Sequence, residues 1–261
     1  MPANSRLTAP SHASSPAVLI DMVFPGDTNH HGTLFGGIAL AHMDKVAFLA
    51  ATRHGRAPFV TAASQKIDFT AAAYAGEMIE ATSTLVRVGR SSVEVEVELL
   101  AEALISGERR LCTRGRFTLV AVKGPDTTLP LPAIEDSHRP PQDGKLRTVD
   151  MVFPPQTNHY GTLYGGDALK MMGKAAFIAA TRHSREIFVM AASDEIAFKS
   201  PIREGQMVEL VSAIIHQGNG SLVVSVEMWG EDLLTGERCH AATANFTMAA
   251  VDAQGNAKPI G

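Results

Sequence analysis

The sequence has little of several features that identify particular classes of protein. Only two of its 261 residues are cysteine, Cys112 and Cys239, and no motif surrounds either. Two thiols in a reducing compartment are therefore favoured over a disulfide. No run approaches the roughly 20 apolar residues of a membrane span, and the start of the chain lacks the apolar centre of a secretory signal. We expect a cytoplasmic protein, outside any membrane, in which residues 1–16 form a disordered tail.

Runs of basic residues are also missing. The formal net charge is −4, with 23 Lys and Arg against 27 Asp and Glu, and no segment is dense in Lys or Arg. The sequence therefore argues against a nucleic-acid partner. A small anionic ligand is still allowed, because a few local cations or the amides at a helix start suffice to bind it.

The most informative feature of the chain is an internal sequence repeat. The segment from Asp21, DMVFPGDTNHHGTLFGGIALAHMDKVAFLAATRH, returns from Asp150 as DMVFPPQTNHYGTLYGGDALKMMGKAAFIAATRH, at a constant offset (158 − 29 = 129). Two copies that stay in register predict two domains of one architecture. We place the first domain at 17–123, a proline-rich linker at 124–146 and the second domain at 147–261.

Each copy carries the same order of predicted elements. A strand at Ala17–Phe24 precedes a turn-rich loop and a long apolar helix from Gly36 to His54, and four strand-like segments follow. One of these, SVEVEVEL, alternates strictly between apolar and charged residues, as a half-buried strand does. The pattern predicts an α+β unit in which a curled antiparallel sheet wraps a central helix. Two such units are expected to pair strand edge to strand edge, forming one continuous sheet about a pseudo-twofold axis.

The pattern T-N-x-x-G-T-L-[FY]-G-G-x-A-L-x-x-M, followed by A-A-T-R-H, resembles the hotdog-fold acyl-CoA thioesterases, and its two copies resemble their tandem members. The likeness covers Val18–Val122 and Thr148–Val251. It implies two tandem hotdog domains in an intramolecular pseudo-dimer and hydrolysis of acyl-CoA to free fatty acid and coenzyme A. It also implies no cofactor beyond the coenzyme A of the substrate, and self-association, with a trimer of chains as the first choice.

The resemblance further implies an active site between two hotdog units. One unit supplies a carboxylate from its central helix, which by position is Asp44, and the other supplies Asn158 from the loop before its helix. The amides of Gly165 and Gly166 open that second helix, so they suit a developing oxyanion. Asp44 could act as general base towards water or as a nucleophile, and the sequence leaves both roles open.

The mirror-image site has no carboxylate. Its loop residue Asn29 would face position 173, which is Gly173, while Gly36 and Gly37 would supply its helix-start amides. We therefore predict one working and one vestigial site per chain. The alternative is that Asp194 takes over the missing role.

Other candidates are assigned less specifically. Gln65 and its counterpart Asp194, on the strand after each helix, could hold the thioester or the water, or could simply face polar neighbours. A strand turn supplies the candidates for coenzyme A phosphates, although a solvated turn is an equally good interpretation: Arg87, Arg90, Ser91 and Ser92. The loop histidines are interpreted as hydrogen-bonding residues, so no metal site is predicted.

Two alternative functions remain. A hotdog hydratase or dehydratase would usually present a His–acid pair, but His42 lies two residues before Asp44 and so points to a different face of the helix. A non-catalytic acyl-CoA-binding or sensor protein is the second alternative, favoured by Gly173 and opposed by the intact set around Asp44.

Overall fold

The computed structural model describes residues 16–124, 127–134 and 143–261. All but the last residue of the predicted tail therefore lies outside the described residues. The first repeat contains β1 (Val18–Met22), α1 (Gly36–Gly55), β2 (Phe59–Ser64), β3 (Asp68–Phe69), β4 (Met78–Val88), β5 (Ser92–Glu102) and β6 (Arg109–Ala121). The second contains β7 (Leu146–Met151), α2 (Gly165–Ser184), β8 (Ile187–Ser193), β9 (Ala197–Phe198), β10 (Met207–Gln217), β11 (Ser221–Glu231) and β12 (Arg238–Val251).

The two repeats have the same sheet topology. The order is β1-β4-β5-β6-β2 in the first and β7-β10-β11-β12-β8 in the second, all antiparallel, and a two-residue strand pairs with β6 or β12 beside this path. Each sheet curls around the helix of its own repeat. The predicted α+β architecture of two tandem hotdog units is thereby confirmed. Among the described residues, no helix is long and apolar enough to cross a membrane.

Strand β5 shows how the sequence pattern produces the curved sheet. Val93, Val95 and Val97 are fully buried against α1, whereas the glutamates between them lie on the opposite face. That alternation follows from the two-residue period of a strand. The outer glutamates pair with arginines of the neighbouring strands, in the pairs Arg87–Glu94, Arg116–Glu96 and Arg114–Glu98.

The single strand predicted directly after each helix is in fact divided in two. In the first repeat β2 ends at Ser64 and β3 begins at Asp68. Ile67, between them, turns inward over Gly115, where an added Cβ would lie 2.7 Å from its Cδ1. The break therefore arises from a contact with β6, which the local sequence pattern does not contain.

The expectation of one continuous sheet is wrong. Strands β1 and β7 lie side by side, but no ladder of hydrogen bonds joins the two sheets within the described ranges. Instead, the N–H of Ile20 donates to Thr148 Oγ1 at 2.8 Å. Two symmetric ion pairs flank this contact, Lys45–Asp150 at 2.7 Å and Lys174–Asp21 at 2.6 Å. The repeats form the predicted pseudo-dimer through packing and charge rather than through strand pairing.

A second pair of contacts fastens the C-terminal end of each helix to the other repeat. Arg182 in α2 and Arg185 just after it bind Glu102, and Arg53 in α1 and Arg56 just after it bind Glu231. Both glutamates are buried, and buried charges persist only when they are paired. Burial by itself would raise the pKa of the Glu102 carboxyl, but the hydrogen bonds from Arg182 and Arg185 outweigh it and hold that pKa below its usual range.

Candidate active site

Asp44 lies on the open side of α1, beside strand β2. Met43 and Val46 point into the core, while Asp44 itself is half-buried. Its Oδ1 accepts a hydrogen bond of 2.7 Å from the hydroxyl of Thr61 on β2. The carboxylate is therefore held in place through one oxygen, and no described residue donates a hydrogen bond to the second oxygen. Sequence reasoning did not single out Thr61, because its importance depends on a contact between the helix and the strand after it.

The same two positions differ together in the second repeat. The counterpart of Thr61, at the common offset of 129 (61 + 129 = 190), is Met190. A Cβ added at Gly173 would lie 2.8 Å from the terminal methyl of Met190. An acid–hydroxyl pair in one repeat is therefore an apolar contact in the other. Comparing the two copies beyond the helix would have revealed this second change.

The asparagine loops, in contrast, are the same in both repeats. The side-chain N–H of Asn29 donates to Thr33 Oγ1 at 2.9 Å, and that of Asn158 donates to Thr162 Oγ1 at 3.0 Å. Each Asn Oδ1 also accepts from the backbone N–H two residues later, at 2.8 and 2.9 Å. An amide nitrogen carries two hydrogens. Each Asn can therefore still donate one hydrogen bond while its own loop holds it in position.

The start of α2, seven residues after Asn158 in the chain, provides backbone donors. No side chain of the described residues caps this helix start, whose Ncap position is Tyr164. A Cβ added at Gly166 would lie 2.7 Å from the Tyr164 ring, whereas one at Gly165 would meet nothing within 4 Å. Position 166 must therefore lack a side chain, because the Tyr164 ring occupies the space. At position 165 the space beside the helix start is empty. Uncapped amides at a helix start favour an anion or oxyanion.

A cavity adjoins each helix start. The cavity in the second repeat has a volume of about 370 Å³ and is lined by Thr162, Gly165 and Phe198, among others. Its equivalent in the first repeat, of about 400 Å³, includes Asn29 and Gly36. Both volumes lie in the range of ordinary small-molecule sites, about 300–1,000 Å³.

Within one chain, Asp44 faces away from the second repeat. The next residue, Lys45, lies about 100° further around the helix. It binds Asp150 and stands 5.4 Å from the centre of the Phe153 ring, so its side of α1 is the one that meets the second repeat. Among the described residues, no hydrogen bond joins Asp44 to Asn158. Their pairing stays a prediction.

A family model described as "Thioesterase superfamily" matches residues 31–105 and 160–237, once in each repeat and over more than half of the chain. The chain belongs to the thioesterase superfamily. Its structure is similar to that of an acyl-CoA hydrolase from Agrobacterium tumefaciens, with 46% identity, a TM-score of 0.85, and coverage of 92% of this chain and 96% of that one.

Two further relatives match this chain over different shares of its length. The cytosolic acyl coenzyme A thioester hydrolase of Homo sapiens is 24% identical over 90% of this chain and 74% of its own length. An uncharacterized acyl-CoA thioester hydrolase of Bacillus subtilis is 37% identical over 46% of this chain and 70% of its own length.

The remaining candidate residues, proposed for substrate binding, lie at the ends of strands or in turns between them. Gln65 and Asp194 are exposed, one residue past the ends of β2 and β8, and Asp194 accepts a hydrogen bond from Asn245 Nδ2 at 3.0 Å. Arg87 is already paired with Glu94. The other phosphate candidates lie between β4 and the start of β5, two strands away from β2: Arg90 and Ser91 in the turn and Ser92 as the first residue of β5.

Proposed function

We propose that this chain is an acyl-CoA thioesterase that hydrolyses acyl-CoA to a free acid and coenzyme A. Superfamily membership and the likeness to an acyl-CoA hydrolase over nearly the whole chain support the substrate class. The observation that carries the proposal is the Asp44 carboxylate, fixed by Thr61 on the open side of α1. Such a group can activate water or attack the substrate, and among the described residues Asp44 forms no ion pair that would neutralise it.

The site is completed by groups of the second repeat. We assign Asn158 to orient the water or the thioester carbonyl with its remaining N–H. The open amides of Gly165 and Gly166 would receive the oxyanion that develops on the carbonyl oxygen. Glycine at position 165 lets the thioester approach the backbone closely.

In the general-base route, water adds to the thioester carbon and its proton passes to Asp44. The tetrahedral oxyanion then collapses, the C–S bond breaks, and coenzyme A leaves as the thiolate, which receives the proton. In the nucleophilic route, Asp44 attacks the carbon itself and forms an acyl anhydride that water hydrolyses. Water is the only co-reactant in either route.

Isotope incorporation identifies the nucleophilic route when the label enters the protein. A single turnover in ¹⁸O-labelled water places the label in the fatty acid if water attacks the thioester, or if it attacks the acyl carbon of the anhydride. If Asp44 is the nucleophile and water attacks its carboxyl carbon, the label enters the Asp44 side chain, which peptide mass spectrometry would detect.

One working site per chain follows from this assignment, because Gly173 supplies no carboxylate to the Asn29 loop. The vestigial site keeps a loop and a cavity, so it is a candidate for binding acyl-CoA without hydrolysis. Equilibrium binding of a non-hydrolysable acyl-CoA analogue would count the sites. We expect two per chain if the vestigial site binds and one if it does not.

The test of the proposed function is thiol release from a panel of acyl-CoAs of increasing chain length. Wild type should release coenzyme A, and Asp44→Ala should not. Asp194→Ala serves as the matched control, because it removes the only alternative acid proposed for the second site. Absence of release by wild type from every member of the panel would overturn the proposal.

A further inference from the structure

The cavity beside the start of α2 has an apolar interior. Ile202, Met228 and Ala241 line it, and all three are almost completely buried. Polar residues also line the cavity, but at less buried positions: Thr162, Lys199 and Ser200. The space of about 370 Å³ is therefore polar towards the surface and apolar at its inner end.

The same cavity begins where the thioester is proposed to bind. Gly165 belongs to its wall and is one of the two residues whose amides would receive the oxyanion. A thioester bound there extends in two directions, along its acyl chain and along the pantetheine arm of coenzyme A. The pantetheine arm contains amides that are costly to bury without hydrogen-bond partners, whereas an acyl chain is stabilised by burial. The apolar interior therefore suits the acyl chain.

The entrance is wider in this repeat than in the first. A Cβ added at Gly36 would lie 3.7 Å from the ring of Phe69, whereas one added at Gly165 would meet no described atom within 4 Å. Phe198, the counterpart of Phe69 at the common offset (69 + 129 = 198), therefore stands further from its helix start. The more open entrance belongs to the helix start that is proposed to act on the substrate.

The walls of the two cavities are also held differently. In the first repeat, Arg110 donates from Nε and Nη2 to the carbonyl oxygen of Ala72, at 2.9 and 2.7 Å, and also pairs with Glu77. Ala72 lines the first cavity, so these bonds fix its wall. The second repeat has Cys239 and Gln206 in place of the arginine and the glutamate, and neither can form this clamp.

An apolar side chain occupies the wall of the second cavity instead. Ile202 stands where the first repeat has Ala73. A Cβ added at Gly230 would lie 3.1 Å from Ile202 Cγ1, so the missing side chain at position 230 makes room for the isoleucine. Because Ile202 is held by packing rather than by hydrogen bonds, shortening its side chain enlarges the cavity without breaking a polar contact.

We infer that the acyl chain of the substrate enters the cavity of the second repeat, and that Ile202 and Ala241 determine the chain length it accepts. This inference rests on the proposed function, because it names the place of the acyl group in that reaction. Substrates are then acyl-CoAs with an apolar chain. The value of kcat/KM rises with chain length until the cavity is full, because each further methylene that is buried adds to binding in the transition state.

Two variants with opposite expected effects test the inference on a panel of straight-chain acyl-CoAs. Ala241→Leu fills the inner end of the cavity and should move the maximum of kcat/KM to a shorter chain. For the longest chain that wild type prefers, kcat/KM relative to the shortest should fall by at least about tenfold. Ile202→Ala should move the maximum to a longer chain. Each ratio compares two substrates of one preparation, so partial loss of folded protein does not alter it.

The first repeat provides the matched control. Cys112 lines the first cavity at the position that corresponds to Ala241 (112 + 129 = 241), so Cys112→Leu makes the same change there. We expect this variant to keep the wild-type chain-length profile. A profile that Cys112→Leu shifts would place acyl chains of the reaction in the first cavity and overturn the inference.

The remaining outcomes separate the inference from the function on which it rests. A wild type that hydrolyses acyl-CoA, with a chain-length profile that neither Ala241→Leu nor Ile202→Ala changes, would overturn the inference and leave the proposed function standing. Absence of hydrolysis by wild type for every chain length would overturn the proposed function, and the inference with it.

Discussion

In the first repeat the carboxylate of Asp44 accepts a 2.7 Å hydrogen bond from Thr61, whereas the matching residues of the second repeat, Gly173 and Met190, touch through a methyl group. The loops around these positions have not diverged in the same way. Asn29 and Asn158 make the same hydrogen bonds at nearly the same lengths. The second site therefore lacks the carboxylate and its hydroxyl partner but retains the asparagine loop.

This difference is explained if each loop serves the site of another unit. The loop of the second repeat must keep Asn158 and the open start of α2, because those groups are proposed to act on Asp44. The helix of the second repeat has an apolar contact in place of the acid–hydroxyl pair, although the Asn29 loop proposed to face it is intact. Divergence within a tandem repeat thus indicates which half of each domain takes part in the chemistry.

The largest expected effect comes from making the first repeat resemble the second. Asp44→Gly should lower kcat by about 10²–10⁴-fold, the usual contribution of a general base, and more if Asp44 is the nucleophile. Steady-state thiol release measures the loss. Circular dichroism and thermal unfolding of the variant provide the control for folding, and a variant that kept most of its activity would contradict the assignment.

The buried ion pairs at the ends of the helices differ between the two halves as well. Glu102 is bound by two hydrogen bonds from Arg182 and one from Arg185, whereas Arg56 and Arg53 lie 3.0 and 3.4 Å from Glu231. Loss of a partner from a buried pair costs about 3–5 kcal/mol. We expect Glu102→Ala to lower the free energy of unfolding by that amount, and Glu231→Ala by less, in urea titrations at neutral pH.

The pH dependence of stability checks the same pair. Because the folded-state pKa of Glu102 is lowered from 4.5, its carboxylate contributes stability above the unfolded pKa, and the contribution disappears as the pH falls through the folded value. The difference in unfolding free energy between wild type and Glu102→Gln should therefore be greatest near pH 7 and shrink below about pH 4. A difference that stayed constant with pH would indicate that Glu102 acts by packing alone.

Removing the hydroxyl that holds the carboxylate should have an intermediate effect on catalysis. Thr61→Val keeps the shape of the side chain but loses a hydrogen bond to a charged group, worth about 1.5–3 kcal/mol. We expect kcat to fall by about 10–100-fold, with a smaller change in KM, because the lost bond orients the carboxylate rather than the substrate. The corresponding change in the second repeat, Met190→Thr, should leave the rate unchanged.

The smallest expected effect is an increase in catalytic activity. Gly173→Asp combined with Met190→Thr restores the acid and its hydroxyl beside an Asn29 loop that is already in place. The Cβ at position 173 displaces only the flexible end of the native Met190 side chain, which this pair of changes removes. We expect kcat per chain to rise by up to about twofold. Activity of the pair in an Asp44→Ala background would isolate the new site, and its absence would show that more than the carboxylate was lost.

The local structure around the candidate site was predictable from local signals, whereas the choice of Asp44 and Asn158 as its chemical groups came from the resemblance to acyl-CoA thioesterases. The position of Asp44 on a helix, the turn chemistry around Asn158 and the glycines that open α2 all follow from residue type and spacing. The contrast of Asp44 with Gly173 needed only the alignment of the two copies. Thr61 was missed because its contact with Asp44 joins a helix to the strand after it, and no periodic pattern encodes that contact.

The sequence by itself determined two tandem α+β units, each with a buried helix inside an alternating antiparallel sheet, and the presence of a helix carboxylate in one unit only. Tertiary structure decided which edges of the units meet. The repeats meet along β1 and β7 rather than along β2 and β8. Ion pairs such as Lys45–Asp150 stabilise this contact, as do the buried glutamates, whose partners come from the other repeat. Contacts between residues far apart in the chain depend on the packing of whole faces, so the direction in which Asp44 points emerged only from the assembled fold.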